Sequence, residues 1–541
     1  MSRVVMGILV LAVLAVLGFG AQHYFVSQES AANAETLKFT PIQRLDQDVR
    51  MTAVLDTLRA AGKTGHIAIV NVNLVDPIAG TMIPNQTVVV QGEKIEWVGT
   101  ANAAPGLRGA TQIDGTGKFL SPGITDMHVH TEHMAQHILR LAAGVTSARD
   151  MDGFPWILRT RDAINSGKMI GATMYVAGTI ISDHPLFGYA VQVHTPEEAR
   201  QTVRNQAACG YSFIKVHNKL AESLFDAVAD EAGKLHLDLV GHVPHHMSIF
   251  HAVQFGHMRT LEHLKGFLND GDLTVSDEPY EPALKGAETW ITPTLYTRTG
   301  DAYGEGARRL MEDPRQNYNP RARREQWAAQ IPAPGSHIAV LYNNFVKSQA
   351  IIVPRLMGLH ARWLVGTDAA GYPFNIAGFA ALDELVLLHQ LGMPNVDVVR
   401  AATSEPAIAM RRPDEFGRIV HGQRADLVLL GANPLEDVAA YQSNLGVMAR
   451  GRWYDRASLD AALASVALID DEPVQLTFDL RTADTLVDAL KAKQEAGYVF
   501  EDGAMTEAAE RFEQNGAPDV GKRLRTLLSM PISGVCASEP R

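Results

Sequence analysis

The stretch Ile124-Thr125-Asp126-Met127-His128-Val129-His130 is a short apolar run that ends in two histidines one residue apart. On a β-strand alternate side chains share a face, so His128 and His130 point the same way. Two imidazoles side by side at the carboxyl end of a strand make half of a metal site. Such a pair is common by itself, so the weight of the reading rests on what the remaining chain adds.

Outward from that stretch, the chain after Pro122 alternates strand-like and helix-like patterns. Candidate strands are 123–130, 144–151, 174–182, 213–218, 237–243, 259–264, 290–297 and 362–369. Helical periodicity covers 196–210, 221–233 and 245–256, then 382–392 and 396–409. Eight strands alternating with helices predict an α/β fold of the (β/α)8 TIM-barrel type over residues 122–409, with an insertion near 298–350. The insertion's Arg308, Arg309, Arg321, Arg323 and Arg324 read as a solvated helix face. Short β runs between 66 and 121 return at 417–420, 425–430 and 447–453. The flanks 66–121 and 410–455 are therefore expected to form one small β-sandwich domain. Residues 35–65 read as a linker and docking helix. Residues 456–541 read as a mostly helical extension, with helices at 483–495 and 505–514 and a frayed end.

At 541 residues the chain exceeds one ordinary compact core, and 46% hydrophobic with 20% charged residues describes a globular protein. A net charge of −12 without long basic runs argues against a nucleic-acid partner. The two cysteines, Cys209 and Cys536, are too few for a disulfide framework; unpaired thiols are the favoured reading over a single bridge. Met1-Ser2-Arg3 supplies one positive charge, residues 4–21 carry none, and Ala32-Asn33-Ala34 resembles a cleavage site. Residues 1–34 are thus expected to be a signal peptide, or an amino-terminal membrane anchor spanning 4–21. Either places the globular part outside the cytoplasm, in a periplasmic or similar compartment.

Barrel enzymes carry reactive groups at the carboxyl ends of their strands. There the first candidate strand offers His128 and His130, the fourth Lys215, the fifth His242, the sixth His263 after Glu262, and the eighth Asp368. Imidazole and carboxylate suit zinc or a similar divalent ion. A metal lowers the pKa of its water from about 15.7 to about 7, and Asp368 can take that proton and pass it to a leaving group. Lys215 is the odd member, because an ammonium repels metals. It becomes a ligand only as the carbamate formed with carbon dioxide; the alternative is a structural ion pair. His217 shares the Lys215 face and can support the site from behind, whereas His245 and His246 read as supporting or surface groups.

The motifs SPGITDMHVH (121–130), FIKVH (213–217), VGHVP (240–244), EHL (262–264) and VGTDA (365–369), in that order, resemble the amidohydrolase superfamily. The branch they are most similar to contains imidazolonepropionases and prolidase-like dipeptidases. The flanks VVVQGEKIEWVG (88–99), IDGTGKFLSPG (113–123), GRIVHGQRADLVLLGANPLEDV (417–438) and VMARGRWYD (447–455) share the likeness, which spans about 66–455. The resemblance implies two divalent ions, with zinc the first choice. His128, His130 and Asp368 would hold one, carbamylated Lys215 would bridge, and His242 and His263 would complete the second. It further implies hydrolysis of an amide or peptide-type bond in a small substrate, such as a dipeptide, N-acyl amino acid or cyclic amide. Metal-bound hydroxide would attack, with Asp368 as general base and then acid. Rival readings are a lactonase, esterase or phosphotriesterase on the same centre, and a non-catalytic exported binding protein. Three further residues are candidate substrate contacts. Arg149 suits a carboxylate or a buried structural pair. His184 lies in Asp183-His-Pro-Leu-Phe-Gly, where relatives carry Gly-Gly-His-Gly. Tyr296 suits an oxyanion or simple packing.

Overall fold

A computed structural model describes residues 41–100, 103–104, 107–186, 190–296, 307–333, 335–369, 373–471, 483–514 and 516–528. Residues 1–34, expected to be a signal peptide or anchor, the last ten residues and Cys536 lie outside the described residues. Among the described residues no helix is long and apolar enough to cross a membrane.

The fold is mixed α/β. In chain order its strands are β1 (His66–Asp76), β2 (Thr81–Gln91), β3 (Lys94–Thr100), β4 (Thr111–Asp114), β5 (Phe119–Pro122), β6 (Ile124–Val129), β7 (Val145–Asp150), β8 (Thr173–Val176) and β9 (Ile180–Ser182). There follow β10 (Ala190–Gln192), β11 (Phe213–Val216), β12 (Asp238–Gly241), β13 (Thr260–Glu262), β14 (Trp290–Thr292), β15 (Arg362–Trp363), β16 (Leu427–Leu430), β17 (Asn444–Ala449) and β18 (Arg452–Asp455). One sheet, in the order β18-β17-β16-β5-β1-β2-β3 with β4 beside β1, unites strands from both flanks of the chain. Its seam is β5, antiparallel to β16 through Leu427↔Pro122 to Leu430↔Phe119 and parallel to β1 at Asn73↔Phe119.

The middle of the chain supplies two parallel sheets, β10-β9-β11-β12-β13-β14-β15 and β6-β7-β8. Strands β6, β7, β8 and β11 are buried along their whole length, as expected where both faces of a parallel sheet are covered. Backbone pairs connect the two sheets. Ala177 bridges Phe213, Val129 bridges Ala369, and Met127 N–H donates to the Val365 carbonyl at 2.8 Å.

Several elements differ from expectation. The run 174–182 is two strands, because the Gln206 side chain fills the bend: its Nε2 donates to the Thr179 carbonyl at 2.7 Å. Strand β8 then pairs with β7, and β9 with β10 and β11. Within 245–256 only residues 249–255 are helical, and His251–Phe255 form a single π-helical turn. The helical run 396–409 breaks at Thr403, whose hydroxyl donates to the Val399 carbonyl at 2.6 Å. Residues 417–420 form no strand, and 447–453 turns sharply at Arg450-Gly451 between β17 and β18. Cys209 is disulfide-bonded, against the reading as an unpaired thiol.

The insertion contains helices Ala307–Met311, Arg321–Ala329 and His337–Gly358. Its arginines are not one solvated face. Arg321 is exposed beside Glu325, but Arg323 is buried, pairs with Glu132 after β6, and lies 5.2 Å from the Trp327 ring centroid. The C-terminal helices pack on helix Pro41–Ala61, where Leu55 and Leu58 join Met505 and Phe512 in one apolar cluster. Tyr498 Oη donates to Asp56 Oδ1 at 2.6 Å, and Lys493 reaches the same carboxylate at 2.9 Å.

Candidate active site

Asp368 is the hub of a buried polar cluster. Its Oδ1 lies 3.0 Å from His130 Nε2 and 3.4 Å from His128 Nε2, and its Oδ2 lies 3.7 Å from His263 Nδ1. Lys215 Nζ lies 3.5 Å from His128 Nε2. His242 joins through its ring, 4.9 Å from that of His263. All six residues nominated from strand ends are therefore brought together.

Local backbone geometry explains how. Gly366 has no room for a side chain: a Cβ would sit 2.3 Å from Thr292 and 3.0 Å from His128. Its absence lets the chain pass against His128, whose carbonyl accepts from Asp368 N–H at 2.7 Å. Gly241, at φ 123°, likewise brings the start of the His242 segment against the Val216 carbonyl. Asp368, His263 and Thr294 all adopt left-handed backbone, at φ 56°, 61° and 50°. Such conformations are uncommon for non-glycine residues and concentrate at functional sites. At His263 the turn matters most. Thr260 and Glu262 already point inward on β13, so strand alternation would send the next side chain outward; the left-handed step brings His263 to the same side.

Burial, with the nearby Lys215 charge, holds the His128 imidazole well below its usual range, and it is therefore neutral. At His130 burial and Lys215 also oppose protonation, but the Asp368 hydrogen bond and the Asp368 and Asp152 charges outweigh them and raise its pKa. Burial lowers the Lys215 amine, against the pull of Asp368, Asp152 and Glu262.

Supporting groups that the sequence reading passed over surround the cluster. Asp126 accepts from Thr367 Oγ1 at 2.7 Å and from the N–H groups of Thr367 and His128, and burial raises its pKa to about 6. Asp152 sits 4.0 Å from His130 Nδ1, pushed up to about 7 by burial. Glu262 Oε2 lies 2.8 Å from His128 Nδ1. Asn218 Oδ1 lies 3.3 Å from His242 Nδ1, and its Nδ2 lies 2.6 Å from His245 Nε2. A carboxylate inside an apolar strand, as in Thr260-Leu261-Glu262, was the available signal for one of them.

The three candidate substrate contacts fare differently. Of the two readings open for Arg149, its contacts are those of the buried structural pair: its Nε, Nη1 and Nη2 donate to the Met127 carbonyl, Thr260 and Glu262 at 2.6, 2.9 and 2.7 Å. A fully buried guanidinium engaged on all three nitrogens is a structural cation, not a receptor for a substrate carboxylate. His184 is largely exposed and pairs with Asp183 at 2.5 Å; no described contact links it to the Asp368 cluster. Tyr296 is buried, and its N–H donates to Glu384 at 2.7 Å.

The donor set fits a divalent ion. One ligand atom each from His128, His263 and Asp368 lies within 4.8 Å of the others, and imidazole ligates only when neutral, as burial makes His128.

Residues 119–454 match the model of the Amidohydrolase family. Among curated proteins, ochratoxinase from Aspergillus niger is 23% identical over 450 residues, covering 71% of this chain and 85% of the relative. Among solved structures, bottromycin amidohydrolase superposes with TM-score 0.66 at 23% identity, covering 78% of this chain and 94% of that one. A putative prolidase from Bifidobacterium longum gives 0.59 at 22% identity, covering 74% and 99%. A family model that spans most of the chain, over a buried His/Asp cluster of the kind this family uses for divalent metals, settles the assignment: the chain belongs to the amidohydrolase family and is a hydrolase of carbon–nitrogen bonds.

Proposed function

We propose that the protein cleaves an amide or peptide-type bond of a small substrate, with His128, His130, Lys215, His242, His263 and Asp368 holding two divalent ions. Zinc is the first choice for these donors. The observation that carries the reading is Asp368, one carboxylate within 3.7 Å of three imidazoles. When bound, the ions supply Lewis acidity that activates water and polarises the scissile carbonyl. Asp368 accepts the proton of the attacking water and delivers it to the departing nitrogen. Lys215 reacts with carbon dioxide: its neutral amine forms the N–C bond, loses a proton to solvent, and becomes an anionic carbamate. Burial supports this by favouring the neutral amine. A dipeptide or N-acyl amino acid is the favoured substrate class, a reading supported by the likeness to a putative prolidase and to ochratoxinase.

Residues 122–409 are read as one (β/α)8 barrel. The reading is supported by the Ala177–Phe213 and Val129–Ala369 bridges, which join both edges of the three-stranded sheet to the seven-stranded one. Residues 66–121 with 410–455 form the accompanying β-sandwich domain, a reading supported by the β5–β16 pairing. The protein is exported, a reading resting on the uncharged run 4–21.

A substrate panel on zinc-loaded protein tests the proposal. Cleavage of dipeptides or N-acyl amino acids is expected, and turnover of lactones, esters or phosphotriesters alone would refute it. Asp368→Asn is expected to lower kcat by about 10²–10⁴ with zinc retained; unchanged kcat would remove Asp368 from the role of base.

A further inference from the structure

Glu262 belongs to none of the six residues of the proposed centre, yet it is completely buried and touches one of them. Its two oxygens face different partners. Oε2 lies 2.8 Å from His128 Nδ1. Oε1 accepts from Arg149 Nη2 at 2.7 Å and from Thr260 Oγ1 at 2.5 Å. Arg149 Nη1 also donates to Thr260 Oγ1 at 2.9 Å, closing a ring of three side chains. Arg149 is itself fixed by its Nε bond to the Met127 carbonyl, next to His128 in sequence.

We propose that Glu262, oriented by Arg149 and Thr260, is a positioning residue that fixes the tautomer of His128. A carboxylate can only accept at Oε2, so the proton of the neutral imidazole stays on Nδ1. The Nε2 lone pair is then directed to where Asp368 Oδ1 and Lys215 Nζ lie, 3.4 and 3.5 Å away. Carboxylates that hold ligating histidines in this way tune metal affinity by 10–100-fold. The inference rests on the reading of His128 as a metal ligand.

The asymmetry of the two oxygens makes a sharp test. In Glu262→Gln the Oε1 position still meets two donors, so the amide oxygen stays there and the amide NH2 occupies the Oε2 position. That NH2 points at His128 Nδ1, which must become an acceptor, and the imidazole proton moves to Nε2. Removing the guanidinium as well, in Glu262→Gln/Arg149→Met, releases the amide to turn. Thr260 can reverse its hydroxyl and accept from NH2, so the amide oxygen again faces Nδ1.

Zinc affinity is measured on the full chain by chelator competition. Glu262→Gln is expected to bind zinc 10–100-fold more weakly than wild type, and the double variant to regain at least about tenfold. A simple packing role predicts the opposite order, because the double variant disturbs more of the core. Unchanged zinc affinity in Glu262→Gln, or a double variant no tighter than the single, would overturn the proposal. A readout independent of variant folding is 15N-histidine NMR of the metal-free wild type, with the His128 signals identified by their loss in His128→Gln. Protonated Nδ1 with bare Nε2 is expected, and a proton on Nε2 would overturn the relay. Failure of the wild-type protein to bind zinc would instead defeat the metal reading, and the NMR result would still decide the tautomer.

Discussion

Glu384 offers a test of the burial argument away from the candidate metal ligands. It lies in helix Phe379–Gln390, fully buried, with Oε1 accepting from Leu295 N–H at 2.9 Å and Oε2 from Tyr296 N–H at 2.7 Å. Burial pushes its carboxyl from the usual 4.5 up to about 8, the Asp126 and Asp383 charges add to the rise, and the two N–H bonds oppose it. The folded protein therefore keeps a proton that the unfolded chain releases above about pH 4.5. Its contribution to stability is fully present below that pH and is lost as pH rises toward 8. The distance between the two pKa values corresponds to roughly 5 kcal/mol at about 1.36 kcal/mol per pKa unit. In Glu384→Gln there is no proton to lose, but the amide nitrogen faces one of the two N–H donors, a mismatch of about 1–3 kcal/mol. The variant is thus less stable than wild type at pH 5, and the gap closes and reverses by pH 8.5. Urea denaturation of both proteins at pH 5, 6.5 and 8.5, at one ionic strength, measures this. Parallel stability profiles across that range would refute the assignment of a buried, proton-holding carboxyl.

Arg323→Met removes the buried guanidinium that pairs with Glu132 and is expected to cost about 3–5 kcal/mol; the double variant Arg323→Met/Glu132→Met should cost less than either single change in thermal denaturation. A double variant worse than both would show that the pair itself supplies the stability. His184→Ala is expected to leave kcat/KM within about twofold, since its side chain is exposed and pairs with the adjacent Asp183 carboxylate. A drop beyond tenfold would return His184 to the substrate site.

The candidate site was legible because its residues lie on short apolar strands with a period of two, and Phe213-Ile214-Lys215-Val216 shows why. A lysine in a four-residue run buried on every side has to serve a purpose that offsets its desolvation. What sequence could not show was direction. Alternation on β13 points Glu262 inward and His263 away, and only a left-handed backbone step makes both useful. Arg149 stayed open between two readings for a related reason: a guanidinium suits a substrate carboxylate and a buried glutamate equally, and the choice depends on Glu262, more than a hundred residues later. The broken elements share a third cause. The bend between β8 and β9 and the break at Thr403 are made by side-chain bonds to backbone, from Gln206 and Thr403, which hydrophobic periodicity does not register.

The pairing of β5 with β16 has a consequence for the order in which this molecule can assemble. Those strands flank the whole parallel-sheet body, so the body is an insert within the eight-stranded sheet, roughly three hundred residues long, whose entry at Pro122 and exit at Leu427 are neighbours. A ribosome delivers β1 to β5 first and must complete the entire insert before β16 exists. If the two edges had to meet across a flexible coil, closure would cost entropy that grows with the logarithm of its length. An insert that folds on its own brings its two ends together and removes most of that search. For an insert that folds alone, assembly from the inside outward is the low-barrier order, with the chemistry-bearing body formed before the sheet that begins the described strands.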